Sequence, residues 1–180
     1  MVVDSAIGTL IVASVASLFA SAGVHKLRDL RRFEGIFSSY ELMPVLERLR
    51  ISRAVPTLEI AVAAGLLVDV WRPYAVTTGI VLLSTYAGAI AINLRRGRSN
   101  LACGCGGPDE RRPISGWMVW RNALISLALG FTLLPWASRP LVFTDGVTIV
   151  FGLLAIALVY LCTDRLLGHT QRVARLRGSP

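Results

Sequence analysis

The chain reads as an all-α protein, a polytopic helical bundle embedded in a membrane. Its 180 residues are 54% hydrophobic, and 17% are charged, against about 25% in an ordinary soluble domain. Mean hydropathy is positive, at +0.61, and apolar runs of spanning length recur between short basic loops. The net charge of +8 does not gather on one continuous face. The arginines sit between apolar runs, where they act as topology signals and touch anionic headgroups, so no nucleic-acid partner is read from them. The partner is the lipid bilayer, and residues 1–180 form a single transmembrane domain with a basic tail at 165–180.

The first span covers residues 7–24. Ala20-Ser21-Ala22 imitates a cleavage site, but the start carries Asp4 and no Lys or Arg, which is not the basic opening of a signal peptide. Ala13, Ser17 and Ser21 recur every four residues, the small-residue spacing that lets membrane helices approach closely. His25-Lys26-Leu27-Arg28 ends this helix. Leu30, Phe33, Ile36 and Phe37 then fall at helical spacing against Arg31, Arg32 and Glu34, which predicts an interfacial amphipathic helix. Tyr40-Glu41-Leu42-Met43-Pro44 breaks it, and 45–53 reads as one more short interfacial piece.

The second span, 54–70, opens with Pro56 in the first turn, where a missing N–H costs least. Glu59 lies one turn inside it. Asp69, Arg72 and Pro73 turn the chain into the third span, 74–94, where Ser84 and Gly88 repeat the small-residue spacing and Asn93 marks the exit. The fourth span opens on Trp120-Arg121-Asn122 and ends near Trp136, with tryptophans at headgroup level at both ends. The fifth, 146–162, ends on Cys162.

Five spans put the termini on opposite sides of the membrane. Of the 19 Lys and Arg, 17 fall on the C-terminal side, leaving only Arg72 and Arg139 on the other. The positive-inside rule then describes a multi-pass protein of the cell membrane, with the N-terminus outside and the C-terminus in the cytoplasm. The loop between spans three and four shares the cytoplasmic side.

That threading collects the polar groups of the spans at one end. His25, with Lys26 beside it, closes span one; Glu59 is near the start of span two; Asn93 ends span three; Arg121 and Asn122 open span four; Cys162 ends span five. Each has a plain reading as well. Lys26 and His25 suit a snorkelling helix end, Arg121 and Asn122 a cap, and Cys162 a small packed residue. Glu59 is harder to dismiss, because a carboxylate inside a span is costly unless paired or protonated. His25, Asn93 or Arg121 are its expected partners.

The same end carries Ala102-Cys103-Gly104-Cys105-Gly106-Gly107. A Cys-x-Cys pair closes on itself only over a sharp bend, which Gly104 permits because it lacks a Cβ. Strained bridges reduce easily and tend to be catalytic or regulatory. A metal on Cys103 and Cys105 would need two further donors, and a plain flexible loop is the third reading. Cys162 is a candidate resolving thiol, since a loop of roughly 20 residues can fold back over the bundle end at about 3.3–3.6 Å per residue.

The order Gly23-x-x-Lys26-Leu27, Tyr40-x-Leu42-x-Pro44, Pro56-x-x-Glu59 and Cys103-Gly104-Cys105-Gly106 before a Trp/Arg/Asn-led span resembles the methylamine-utilisation MauE family, within the DoxX-like four-helix membrane proteins. The resemblance covers roughly residues 5 to 135. It implies a four-helix core, here followed by a fifth transmembrane helix. It also implies a role in maturing the small, disulfide-rich subunit of methylamine dehydrogenase, alongside a thioredoxin-like partner of the MauD type.

Two functions remain open on the residues. In one, Cys103 and Cys105 cycle between dithiol and disulfide as a thiol–disulfide oxidoreductase, with His25, Lys26 and Arg121 supplying positive field and Glu59 handling protons. In the other, the protein is a non-enzymatic assembly or transport factor whose cysteines are structural or hold a metal. No cofactor and no resident metal is assigned; a quinone is compatible with thiol chemistry in a membrane, but no residue pattern in the chain demands one.

Overall fold

A computed structural model describes residues 3–42, 45–104, 113–137 and 139–177. Among them the chain forms six α-helices, with two isolated β-bridges as the only extended pairing. The helices are α1 (Ser5–Arg28), α2 (Leu30–Ser39), α3 (Val45–Leu66), α4 (Arg72–Arg95), α5 (Gly116–Phe131) and α6 (Phe143–Arg177).

Two aspartates set the ends of the first two helices. The Asp4 carboxylate accepts from the Ala6 amide at 2.9 Å and caps α1. Asp29 interrupts the helix after Arg28, and its carboxylate accepts from the Arg32 amide at 3.1 Å, capping α2. The expected amphipathic helix therefore forms, with Phe33 buried. Further on, the second span differs from expectation. Pro56 does not open a helix; it lies inside α3, which runs unbroken from Val45 to Leu66 and absorbs the short interfacial piece. Proline removes one intrahelical hydrogen bond, and here Pro56 is fully enclosed against neighbouring helices, so tertiary packing carries the helix through it.

The core is a seam at heptad-like spacing. On α1 the buried positions are Ser5, Gly8, Val12, Val15, Ala16, Phe19, Ala22, Gly23 and Lys26. Of these, Val12, Val15, Ala16 and Phe19 pack in one cluster with Val62, Ala63 and Leu66 of α3, Val76 and Leu83 of α4 and Leu129 of α5. The close approaches are made by glycines other than the small residues expected from spacing. A Cβ on Gly23 would lie 2.9 Å from Ile60 and 3.0 Å from the Pro56 carbonyl, and one on Gly79 would lie 2.9 Å from Leu129. Ser17, Ser21 and Ser84 are exposed, and the Ser17 and Ser21 hydroxyls donate to their own helix, at Ala13 (2.8 Å) and Leu18 (2.9 Å).

Contacts between helices run in opposite order along neighbouring pairs. Gly65 meets Ala75 and Gly79 meets Val62 between α3 and α4, while Gly130 meets Ile80 between α5 and α4. The main helices thus alternate in direction. α6 runs alongside α1, where Gly152 receives Leu10, and is reached from α5 by the Arg121 side chain, which donates to the Tyr160 hydroxyl at 3.0 Å.

Among the described residues, three helices are long and apolar enough to cross a membrane: Ser5–Arg28, Arg72–Arg95 and Phe143–Thr163. The other two expected spans are shorter. The apolar part of α3 begins only after Arg53, and α5 has 16 residues, about 24 Å at 1.5 Å per residue. The fourth span stops at Phe131 and not near Trp136, because the chain there turns to pair with the N-terminus. Val3 donates to the Pro135 carbonyl and accepts from the Ala137 amide, both at 2.8 Å. The Trp136 ring lies where a Cβ on Gly8 would sit, at 2.8 Å, with the Arg72 guanidinium 4.4 Å from its centre. Arg139 clamps this end to Asp4 and Asp145. At the other end α6 does not stop at Cys162 but continues through the basic segment to Arg177.

Candidate functional site

The alternation of helices brings the end of α1, the start of α3 and the second half of α4 together beneath α2 and the cysteine loop. Gly23 sets this up: its missing Cβ lets α1 close on α3 at Pro56, and Lys26 follows one turn later. Lys26 points inward and forms an ion pair with Glu59, both essentially enclosed at 4% and 1% exposure. Tyr86 of α4 completes the group, its hydroxyl donating to Glu59 Oε1 at 2.7 Å. The Lys26 ammonium also lies 5.2 Å from the Phe33 ring centre and 4.9 Å from that of Tyr86, within cation–π range. Glu59 Oε2 makes no hydrogen bond among the described residues.

Lys26 and Tyr86 form part of the wall of a cavity of about 150 Å³. Phe33, Ile36 and Phe37 of α2, Val55 of α3, and Leu82 and Ile90 of α4 make most of the remainder, which is apolar, and Cys103 and Gly104 close it. A separate space of about 10 Å³, room for about one water, lies between His25, Lys26, Asp29 and Gly104.

The cysteine loop is held over this cavity from several directions. The Ile114 amide donates to the Leu101 carbonyl at 2.9 Å, and Ala102 and Pro113 form an antiparallel bridge, so the loop is pinched at its base. The Tyr40 hydroxyl is shared between the carbonyls of Ala102 (3.2 Å) and Cys103 (3.3 Å). Burial pushes the Tyr40 phenol up to about 12, so it keeps its proton and remains a donor. The Asn93 amide donates to the Tyr40 carbonyl at 3.4 Å and to Ala89 at 3.1 Å, tying α2 to α4. Arg98 pairs with Glu41 at 2.9 Å across the same joint. Gly104 has φ +65°, and a Cβ there would lie 2.9 Å from the Ile36 methyl. Both facts require glycine.

The predicted site residues divide accordingly. Glu59, Lys26 and Cys103 belong to the cavity and the network behind it, with Asn93 as a brace. Cys103 is disulfide-bonded; Cys105 lies outside the described residues. Glu59 pairs with Lys26 and Tyr86, not with His25, Asn93 or Arg121 as expected. His25 is exposed because the helix turns by about 100° per residue, and that rotation puts Lys26 inside. Arg121 and Asn122 share this end of the bundle but do not line the cavity: Arg121 holds α6 through Tyr160, and Asn122 is buried within α5. Cys162 is a free, exposed thiol on α6, so no bridge joins it to Cys103. Among the described residues, no three His, Cys, Asp or Glu gather to hold a metal.

Tyr86 is the participant that sequence reasoning missed. Its signal was available: it lies seven residues, two helical turns, before Asn93 on one face of α4.

A family model described as methylamine utilisation protein MauE matches residues 4–135. The chain is 38% identical over 159 residues to the methylamine utilization protein MauE of Paracoccus denitrificans, covering 86% of this chain and 83% of that protein. It is 32% identical over 175 residues to the MauE of Methylophilus methylotrophus, covering 93% and 90%. No solved structure matches the chain.

Proposed function

The chain belongs to the methylamine utilisation protein MauE family, and from that premise we propose that it is an accessory membrane protein of methylamine utilisation that works by thiol–disulfide exchange. Cys103 and Cys105 form its redox pair, cycling between disulfide and dithiol, and a thioredoxin-like protein of the MauD type is the partner. The process served is maturation of the disulfide-rich small subunit of methylamine dehydrogenase. The distribution of basic residues supports a place in the cell membrane with the cysteine loop and C-terminus on the cytoplasmic side, so the partner domain meets the loop there.

One observation supports this reading above the others: Cys103, disulfide-bonded, lies on the wall of a cavity that also reaches a buried ion pair. A cysteine loop needed only as a tether has no use for a left-handed glycine packed against Ile36, a phenol bonded to its carbonyls and a lysine beneath it. Thiol–disulfide exchange proceeds through the thiolate, and the Lys26 ammonium favours negative charge in this otherwise apolar space. Exchange passes through a mixed disulfide with the partner, and the free Cys162 on α6 takes no part in it.

The test is a redox titration of the full chain in its own membranes, trapping thiols with an alkylating mass tag at each potential. Cys103 and Cys105 are expected to become labelled together in one two-electron step, with Cys162 labelled throughout. Independent labelling of Cys103 and Cys105, or no change at any potential, overturns the redox reading in favour of an assembly factor.

A further inference from the structure

We propose that the cavity beneath Cys103 binds the ring of a lipid-soluble quinone, which accepts the electrons of the cysteine pair. This rests on the thiol–disulfide reading and names the acceptor that the reading leaves open.

Size is the first argument. A cavity of about 150 Å³ bounded by aliphatic and aromatic side chains is the volume that accommodates a single six-membered ring. The walls supply such side chains from three helices: Phe33 and Phe37, Val55, and Leu82 and Ile90. Polarity is the second argument. An aliphatic lipid tail would need no polar wall, yet Lys26 and Tyr86, the two residues that hold the buried Glu59 carboxylate, are among the residues lining this cavity, in a region where buried charge is costly. A ring that carries oxygen atoms uses both kinds of wall. Position is the third. α2 forms one side of the cavity, and its amphipathic sequence places it at the membrane interface, so a carrier dissolved in the bilayer can present its ring there while its tail stays in lipid. The Cys103 side of the wall then stands beside the ring.

The chemistry balances. Cys103 and Cys105 as thiols give up two electrons and two protons as their S–S bond forms. The quinone takes up the two electrons, and its two oxygens take up two protons, which yields the quinol. Lys26, Tyr86 and Glu59 lie in one hydrogen-bonded group, and a water-sized space lined by Lys26 and by the exposed His25 and Asp29 adjoins it. Protons can therefore reach the ring oxygens without crossing the apolar wall.

The experiment uses the full chain, purified in detergent, reduced with a dithiol, freed of reductant and mixed anaerobically with decylubiquinone or menadione. Quinone loss is read by absorbance and thiols by mass-tag labelling. The expected result is saturable reduction of one quinone per two thiols lost from Cys103 and Cys105. Ala89→Phe, which fills the cavity from α4, is expected to raise the half-saturating quinone concentration at least tenfold; Val55→Phe does the same from α3 and stands in if Ala89→Phe does not fold. If the pair titrates reversibly against a dithiol buffer but transfers nothing to either quinone, the quinone site is wrong and the thiol–disulfide reading stands. Quinone reduction that neither folded cavity variant alters also overturns the site. If the pair does not titrate at all, the thiol–disulfide reading fails with it.

Discussion

Lys26 on α1 and Glu59 on α3 form an ion pair inside the bundle, at 4% and 1% exposure. Two charges out of water are tolerated only when each has the other, and removing one partner of such a pair costs about 3–5 kcal/mol. Glu59→Gln and Lys26→Met should each destabilise the protein by about that amount, seen as reduced membrane abundance and earlier thermal unfolding in detergent. The double variant Lys26→Met with Glu59→Leu should lose much less than the sum of the two. Additive losses would mean that the pair is not a unit.

Tyr86 contributes one hydrogen bond to the same carboxylate. Hydrogen bonds to charged groups are worth about 1.5–3 kcal/mol, so Tyr86→Phe should be milder than either charge deletion. Its thermal shift should vanish in a Glu59→Leu background, where there is nothing left to donate to; an undiminished shift there would place the value of Tyr86 in its ring packing instead.

Gly104 stands at φ +65° with Ile36 where its Cβ would be. A side chain in the left-handed region costs about 1–2 kcal/mol, and the contact with Ile36 adds to that. Gly104→Ala should lower stability and raise the reactivity of Cys103 toward reductant. Adding Ile36→Ala should recover part of the stability by clearing the contact, while the backbone cost remains. A neutral Gly104→Ala would show that the loop is not held as described.

At the far end, hydrogen bonding to Arg139, helped by the Ala6 amide, holds the Asp4 carboxyl below its ordinary value of 3.8. A depressed folded-state value means that the contribution of Asp4 to stability is complete above the unfolded value and disappears as pH falls through the folded one. Thermal unfolding of the detergent-solubilised protein should therefore shift to lower temperature as pH drops from about 5 to below 3, and Asp4→Asn should flatten part of that slope. An identical slope in the variant would remove the Asp4–Arg139 contact from the account.

Several parts of this architecture are legible from residue order. The spacing of Leu30, Phe33, Ile36 and Phe37 specifies α2, and Glu59 inside an apolar run signals a buried partner. The identity of that partner is not legible in the same way. His25 and Lys26 are adjacent at a helix end, and only the phase of α1, set by packing at Gly8 and Gly23, decides which faces inward. Pro56 reads as a helix start on local rules, but the enclosure of α3 overrides them. Spacing alone marks Ser17 and Ser21 as contact residues, whereas the burial pattern of α1 turns them outward. Tyr86 is hidden because an aromatic residue in an apolar run looks like core. Trp136 looks like a headgroup anchor for the reason opposite to its use, which is to fill the space left by Gly8.

The central claim is tested most directly by mixing the oxidised, full-length chain with a reduced thioredoxin-like protein and counting disulfides on both after acid quenching. Transfer of one disulfide per chain is predicted, abolished by Cys103→Ser and kept in Cys162→Ser, with a mixed disulfide through Cys103 or Cys105 trapped when the partner's resolving cysteine is replaced. No transfer from the oxidised chain, or transfer that persists in Cys103→Ser, would contradict it.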